Sequence, residues 1–322
     1  MNSAPPTKRR RTDDPDPPES PLVRSTEYWF DDGNIILQVE STQFRLTKGM
    51  LSMHSNVFRD MFMIPLPPDQ PTIENCPVVT LSGDTPEDWN HLLGVMFPRS
   101  LLQGKPTAGL LAGVLRLSKK YDIPLFREDC IWRLKAEFPS TLKEHDKFLS
   151  WAFIRDESDI LFPLASLARE IGLHSILPVI YYRIVASTGE NGYMNMVLDE
   201  TAPGFSTVDR LACMRGYIKL LDLQSQTTMS WLDVKKIPVG VCQQRPDCRK
   251  QMHKIIRDLH GAQRLEISAI HEWVSDWDTD LCELCTKEAL KIFQDGRKEC
   301  WNKLPSVFGL PEWDELKRLD LE

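Results

Sequence analysis

Four cysteines carry the most pointed chemistry in the chain. Cys242 and Cys248 have five residues between them, around Arg245-Pro246, and after 33 further residues Cys282 and Cys285 follow with two between. Tetrahedral zinc needs four soft ligands, usually two close pairs that the fold brings together from distant segments. The second pair has the standard gap and opens a helical pattern through Leu290, Phe293 and Trp301. A helix N-terminus lowers a thiol's pKa and favours metal binding. The five-residue gap of the first pair is unusual, and cysteine is also a small apolar residue at home in a core. Metal and plain core are therefore both open, with structural zinc as the cofactor the set suggests.

Between the pairs runs a basic helix with Arg249, Lys250, His253, Lys254 and Arg257. It could bind phosphate, but a solvated helical face is the favoured reading. His253, His260 and His271 could replace a cysteine as ligands, although each alone reads as structural. Cys76, Cys130, Cys213 and Cys300 fall inside ordinary apolar patterns and read as core. No Gly-rich phosphate loop, Gly-x-Ser-x-Gly, His-Glu-x-x-His or dinucleotide fingerprint is present. The reading is therefore not an enzyme, with no small-molecule substrate.

A third charged feature lies near the start. Lys8-Arg9-Arg10-Arg11 sits in a Pro-, Asp- and Arg-rich stretch with almost nothing apolar. Such a run has the minimal form of a nuclear import signal. Residues 1–24 are expected to be a disordered leader, because they cannot offset the entropy of ordering.

The chain that must position these groups has 322 residues, 42% hydrophobic and 26% charged, with net charge −7. This is the composition of a soluble globular protein with one to three domains. The acidic balance argues against a surface devoted to nucleic acid. No secretory signal is read at the N-terminus, and eight cysteines then suggest a reducing compartment. The most apolar stretch, Leu161 to Tyr182, is interrupted by Arg169, Glu170 and His174 and reads as core helices, not a membrane span.

Ile35, Leu37 and Val39 alternate with Ile36, Gln38 and Glu40, a period of two that predicts a strand, and Phe44 and Leu46 resume it after a turn at Ser41-Thr42. Met50, Leu51 and Met53 form a short apolar run. Ser55 is a good N-cap for a helix with Val57, Phe58, Met61 and Phe62 on one face. A proline-rich loop, Pro65 to Pro77, leads to a third strand through Leu81. Thr85-Pro86-Glu87-Asp88 starts a helix with Trp89, Leu92, Leu93, Met96 and Phe97 on one face. Two further helices follow, the second opened by Pro124 and closed by Pro139. Beyond Thr141 the patterns are helical: Phe148, Leu149, Ala152 and Phe153 on one face, Gly172 as a C-cap, and Leu211, Met214, Ile218 and Leu221 on another helical face.

The stretch GNIILQVESTQFRLTKGMLSMHSNVFRDMF and the later block LRLSKKYDIPLFREDCIWRLKAEFP together resemble a BTB/POZ domain, with Lys120, Tyr121, Asp122 and Ile123 at matching places. The ending Leu304 to Trp313 is similar to the fungal, basidiomycete-like type, which often carries two cysteine pairs as well. Where the family usually has Asp-Val opening its first strand and a His after the second, this chain has Asn34-Ile35 and Thr47. The expected fold class is α+β: an N-terminal BTB/POZ domain at 25–140, a small mixed sheet capped by helices, then an all-helical region. That region divides into 141–232 and a helical Cys-pair module at 233–322.

The resemblance implies an interaction protein, a scaffold that self-associates or docks a protein partner. The candidate surface is Met50, Leu51, Phe58, Met61, Phe62 and Met63. Leu51 and Phe58 are expected in the core, and the rim Met61 to Ile64 is the better docking site. Many BTB dimers exchange an N-terminal segment; here that segment is Pro-rich and not expected to pair. Some members recruit a cullin ubiquitin ligase through a hydrophobic-x-Glu motif, and Ile64-Pro65-Leu66 offers no Glu. The alternatives are such an adaptor, or a nuclear regulator touching nucleic acid through the 249–257 helix and a zinc module. Protein partners and a homodimer are expected, nucleic acid is disfavoured, and the place of action is nucleus or cytoplasm.

Overall fold

A computed structural model describes residues 21–320 apart from positions 66, 68, 98–103, 149, 188–191, 203 and 262–266. The basic run at Lys8 to Arg11 lies outside the described residues. The chain divides into two compact units, the first through Glu87 and the second from Asp88.

In the first unit, β1 (Val23–Trp29), β2 (Ile35–Val39), β3 (Thr42–Leu46), β4 (Thr72–Ile73) and β5 (Cys76–Leu81) form one sheet in the order β1-β3-β2-β5-β4. The sheet is mixed: β2 pairs antiparallel with β3 and parallel with β5, while β1 runs parallel to β3. Central β2 is buried on both faces, which is why Ile35, Ile36 and Leu37 are all apolar. The sheet has five strands, two more than the alternation predicts. Val23 and Arg24, assigned above to the leader, open β1 and pair with Thr42 and Gln43 of β3. Tyr28 alone of its residues is buried.

Next come α1 (Lys48–His54) and α2 (Asn56–Met63). The Ser55 hydroxyl accepts a hydrogen bond from the Phe58 amide at 3.0 Å, the cap expected for α2. Thr47 makes no side-chain cap on α1. Instead the Asn34 side-chain oxygen accepts from the Lys48 amide at 2.8 Å, so a neutral amide takes one orphan donor of that helix.

The second unit holds α3 (Pro86–Met96) almost entirely, then α4 (Ala108–Lys120), α5 (Pro124–Glu137), α6 (Leu142–His145), α7 (Leu161–Ile171) and α8 (Leu177–Ala186). It continues with α9 (Tyr193–Leu198), α10 (Thr207–Gln226), α11 (Arg245–Gly261), α12 (Glu283–Val307) and α13 (Trp313–Leu319). Among the described residues it contains no strand. The nearly all-apolar α8 is its buried axis, packed against α7, α10 and α12. Gly172 closes α7 at φ 77°, the left-handed cap that a residue without Cβ adopts freely. Trp313 stacks on Trp301 at 5.2 Å and donates to its carbonyl, so the Leu304 to Trp313 ending folds α13 back on α12. No described helix is long and apolar enough to cross a membrane.

One expectation fails here for a physical reason. The helical face of Phe148, Leu149, Ala152 and Phe153 does not form; position 149 is outside the described residues and 150–156 has no regular structure. The buried Glu137 carboxylate accepts from the amides of Ala152, Phe153 and Ile154 and takes the place of helical carbonyls. Arg183 seals this segment, its guanidinium 3.6 Å from the Phe148 ring centroid and 4.7 Å from that of Phe138, and burial lowers its pKa to about 10.

The apolar face of α10 forms, but it does not face the interior. Leu211, Met214 and Ile218 point outward, and the helix instead buries Asp209, Cys213, Gly216 and Leu220. Asp209 is tolerated inside because its carboxylate accepts from Arg169, the Tyr181 hydroxyl and the Ser206 hydroxyl. Phe308 occupies the space a side chain at Gly216 would need, its ring 2.3 Å from that Cβ position.

Candidate metal centre and docking rim

The four cysteines are brought to one place. Cys242 lies in a turn whose amide bonds to the Val239 carbonyl, Cys248 in the first turn of α11, and Cys282 and Cys285 at the start of α12. Their sulfurs all lie within 4.8 Å of one another, with Cys242 Sγ 3.7 Å from both Cys248 Sγ and Cys282 Sγ. Zinc–sulfur bonds of about 2.3 Å would set tetrahedral sulfurs about 3.8 Å apart. The donor set and its spacing therefore fit a metal ion, and all four thiols are free.

The ring of thiols has a marked electrostatic asymmetry. Burial opposes ionisation of Cys282, but the Cys285 amide and the three neighbouring thiols outweigh it and bring Cys282 down to about 7. Burial pushes Cys248 and Cys285 up. Cysteine ligands must lose their protons to bind a metal, and Cys282 is the one of these whose surroundings favour that loss. Beneath the sulfurs lies a core of Trp231, Met252, Ile255 and Phe293, with Trp273 and Trp277 packed against it. Their rings meet at 5.0–5.7 Å. This core holds the two helix starts in register. The sequence pairs announce the sulfurs but not the tryptophans, which come from connecting turns without periodicity.

No histidine joins the cluster among the described residues; His253 and His271 are exposed, and the side chain of His260 is outside them. Arg249, Lys250, His253, Lys254 and Arg257 form an exposed face of α11.

The docking candidates separate into two groups. Leu51 and Phe58 are buried, whereas Met50, Met61 and Phe62 are half-buried. Met63 is 74% and Ile64 67% exposed at the end of α2. Met53 and Val57 are also exposed, an extension that sequence reasoning missed because both look like core positions of short helices. Met61, Phe62, Ile64 and Pro65 line one side of a groove of about 430 Å³, with Val78 to Thr80 of β5 on the other. The sheet edge there is already partly capped: the Val78 amide donates to the Pro71 carbonyl at 2.8 Å, and the Gln70 side chain donates to the Val78 carbonyl.

The BTB/POZ domain family profile matches residues 30–137. Residues 30–137 are a BTB/POZ domain. The BTB domain thus contains strands β2 to β5, both short helices with their exposed rim, and the helices through α5, while β1 precedes the matched residues. The cysteine centre lies wholly beyond it. No curated protein matches the chain. A BTB domain is a protein-interaction module, so protein partners are implied for this one.

Proposed function

We propose that this protein is a scaffold whose BTB domain docks a protein partner on the rim Met61 to Ile64, while a zinc-held helical body carries the rest of the chain. The observation behind the rim is the exposure of Met63 and Ile64 beside an apolar groove. Flexible, polarisable methionines suit an adaptable contact surface. Zinc is favoured at the four cysteines because the ligands are all sulfur, close to tetrahedral spacing, and backed by a dry aromatic core. That coordination is closed, with four protein ligands, so the ion would act structurally, tying the turn at Cys242 to two helix starts.

The test pairs affinity capture with the double substitution Met63→Glu, Ile64→Glu. Both side chains are exposed, so the fold should survive. The wild-type chain should retain a specific protein set from lysate of its source, and the double variant should lose it. Capture of the same set by both would refute docking at the rim.

A further inference from the structure

α10 exposes an apolar seam that the scaffold reading does not use. Leu211 is 44%, Met214 37% and Ile218 69% exposed, and Leu221 is half-buried. Their spacing is three, four and three residues, the a/d repeat of a coiled-coil seam over two heptads. The opposite face of the helix is committed to the interior through Asp209, Cys213, Gly216 and Leu220. The seam is thus a free face of an anchored helix.

Its symmetry says what covers it. Two copies of α10 placed antiparallel about an axis level with Gly216 exchange Leu211 with Leu221 and Met214 with Ile218, so every layer meets an apolar partner. The flanks agree. Arg215 and Asp222 are exposed, seven residues apart, and therefore on the same side of the seam. In the antiparallel arrangement that side faces its own counterpart. Helical side chains lean toward their N-terminus, so Arg215 of one copy and Asp222 of the other lean toward each other, twice per dimer. A parallel arrangement would instead set Arg215 of one copy beside Arg210 of the other, which is already paired with Glu200 at 2.8 Å and offers Arg215 no acceptor. We infer that α10 is a self-association surface, pairing antiparallel with α10 of a second copy of this chain, separate from the BTB rim.

Light scattering and sedimentation equilibrium on the full chain, from micromolar to near-millimolar concentration, test this. The wild type should dimerise. Ile218→Glu should be monomeric with an unchanged far-UV circular dichroism spectrum, since position 218 is solvent-exposed and its replacement leaves the fold intact. Met63→Glu should remain dimeric, which keeps failure of this surface distinct from failure of the rim. Under mild oxidation, a mixture of Met214→Cys and Ile218→Cys chains should give a mapped 214–218 disulfide that neither chain gives alone. A monomeric wild type would overturn the inference. So would an Ile218→Glu chain that still dimerises, a dimer abolished by Met63→Glu, or disulfides formed within each single variant, the mark of parallel pairing.

Discussion

The cysteine centre and the α2 rim use soft, sulfur-bearing side chains in opposite ways. At the centre, four thiols from two distant segments converge over an aromatic core and face one another. At the rim, methionines at the end of a short helix face water beside a groove. The difference teaches where rigidity and adaptability are placed. Convergent ligands fix one geometry, and exposed unbranched side chains can repack against a partner. The helical body as a whole follows the first pattern: Asp209, Glu137 and Arg183 are all turned inward and held by partners.

Breaking the inward side should have the largest effects. Cys282→Ser with Cys285→Ser should abolish stoichiometric zinc, read by elemental analysis of purified protein. It should also destabilise the body by on the order of several kcal/mol, because metal binding there is folding energy. Zinc retained at one per chain in that variant would remove the centre from the account.

Acid should come next. His145 is packed beside Tyr182 and Trp301, and burial, reinforced by Arg183, lowers its pKa to about 4. Between that value and the ordinary 6.5 the unfolded chain binds a proton that the folded chain does not, so stability rises with pH across this window. Denaturant midpoints from pH 7 to pH 4.5 should fall, and His145→Gln should flatten the dependence, by an amount on the order of 2 kcal/mol.

Gly296→Ala is comparable or smaller. A Cβ there would meet the Thr227–Thr228 backbone at 2.5 Å, so α12 would have to shift. About 1–3 kcal/mol of destabilisation is expected in urea melts. Ser55→Ala on α2 should cost about 1 kcal/mol through the lost cap. Smallest in stability, within about 0.5 kcal/mol, is Met63→Glu at the rim, where only partner binding should change. A large loss of stability from Met63→Glu would erase the contrast between the two regions.

What could be read from the residues alone follows the same division. Ser55, Pro86, Pro124 and Gly172 punctuate their helices as expected, because caps and proline act locally. The cysteine spacing led to the four sulfurs. β1 was not legible because all but one of its residues are solvent-accessible, so no alternation marks it. The buried face of α10 is not legible because hydropathy cannot see that Asp209 is hydrogen-bonded inside or that Gly216 makes room for Phe308. The irregular segment after α6 depends on a buried Glu137 far from it in sequence. In each case a long-range polar or steric partner overrides the local pattern.

The central claim, protein docking at the rim, is tested most directly by a photo-crosslinking amino acid at position 63 in the full-length chain. Position 143, exposed on α6, serves as the control. The account predicts discrete crosslinked protein partners from position 63 and none of the same mass from position 143. Absence of adducts at 63, or an identical pattern from both positions, would contradict it.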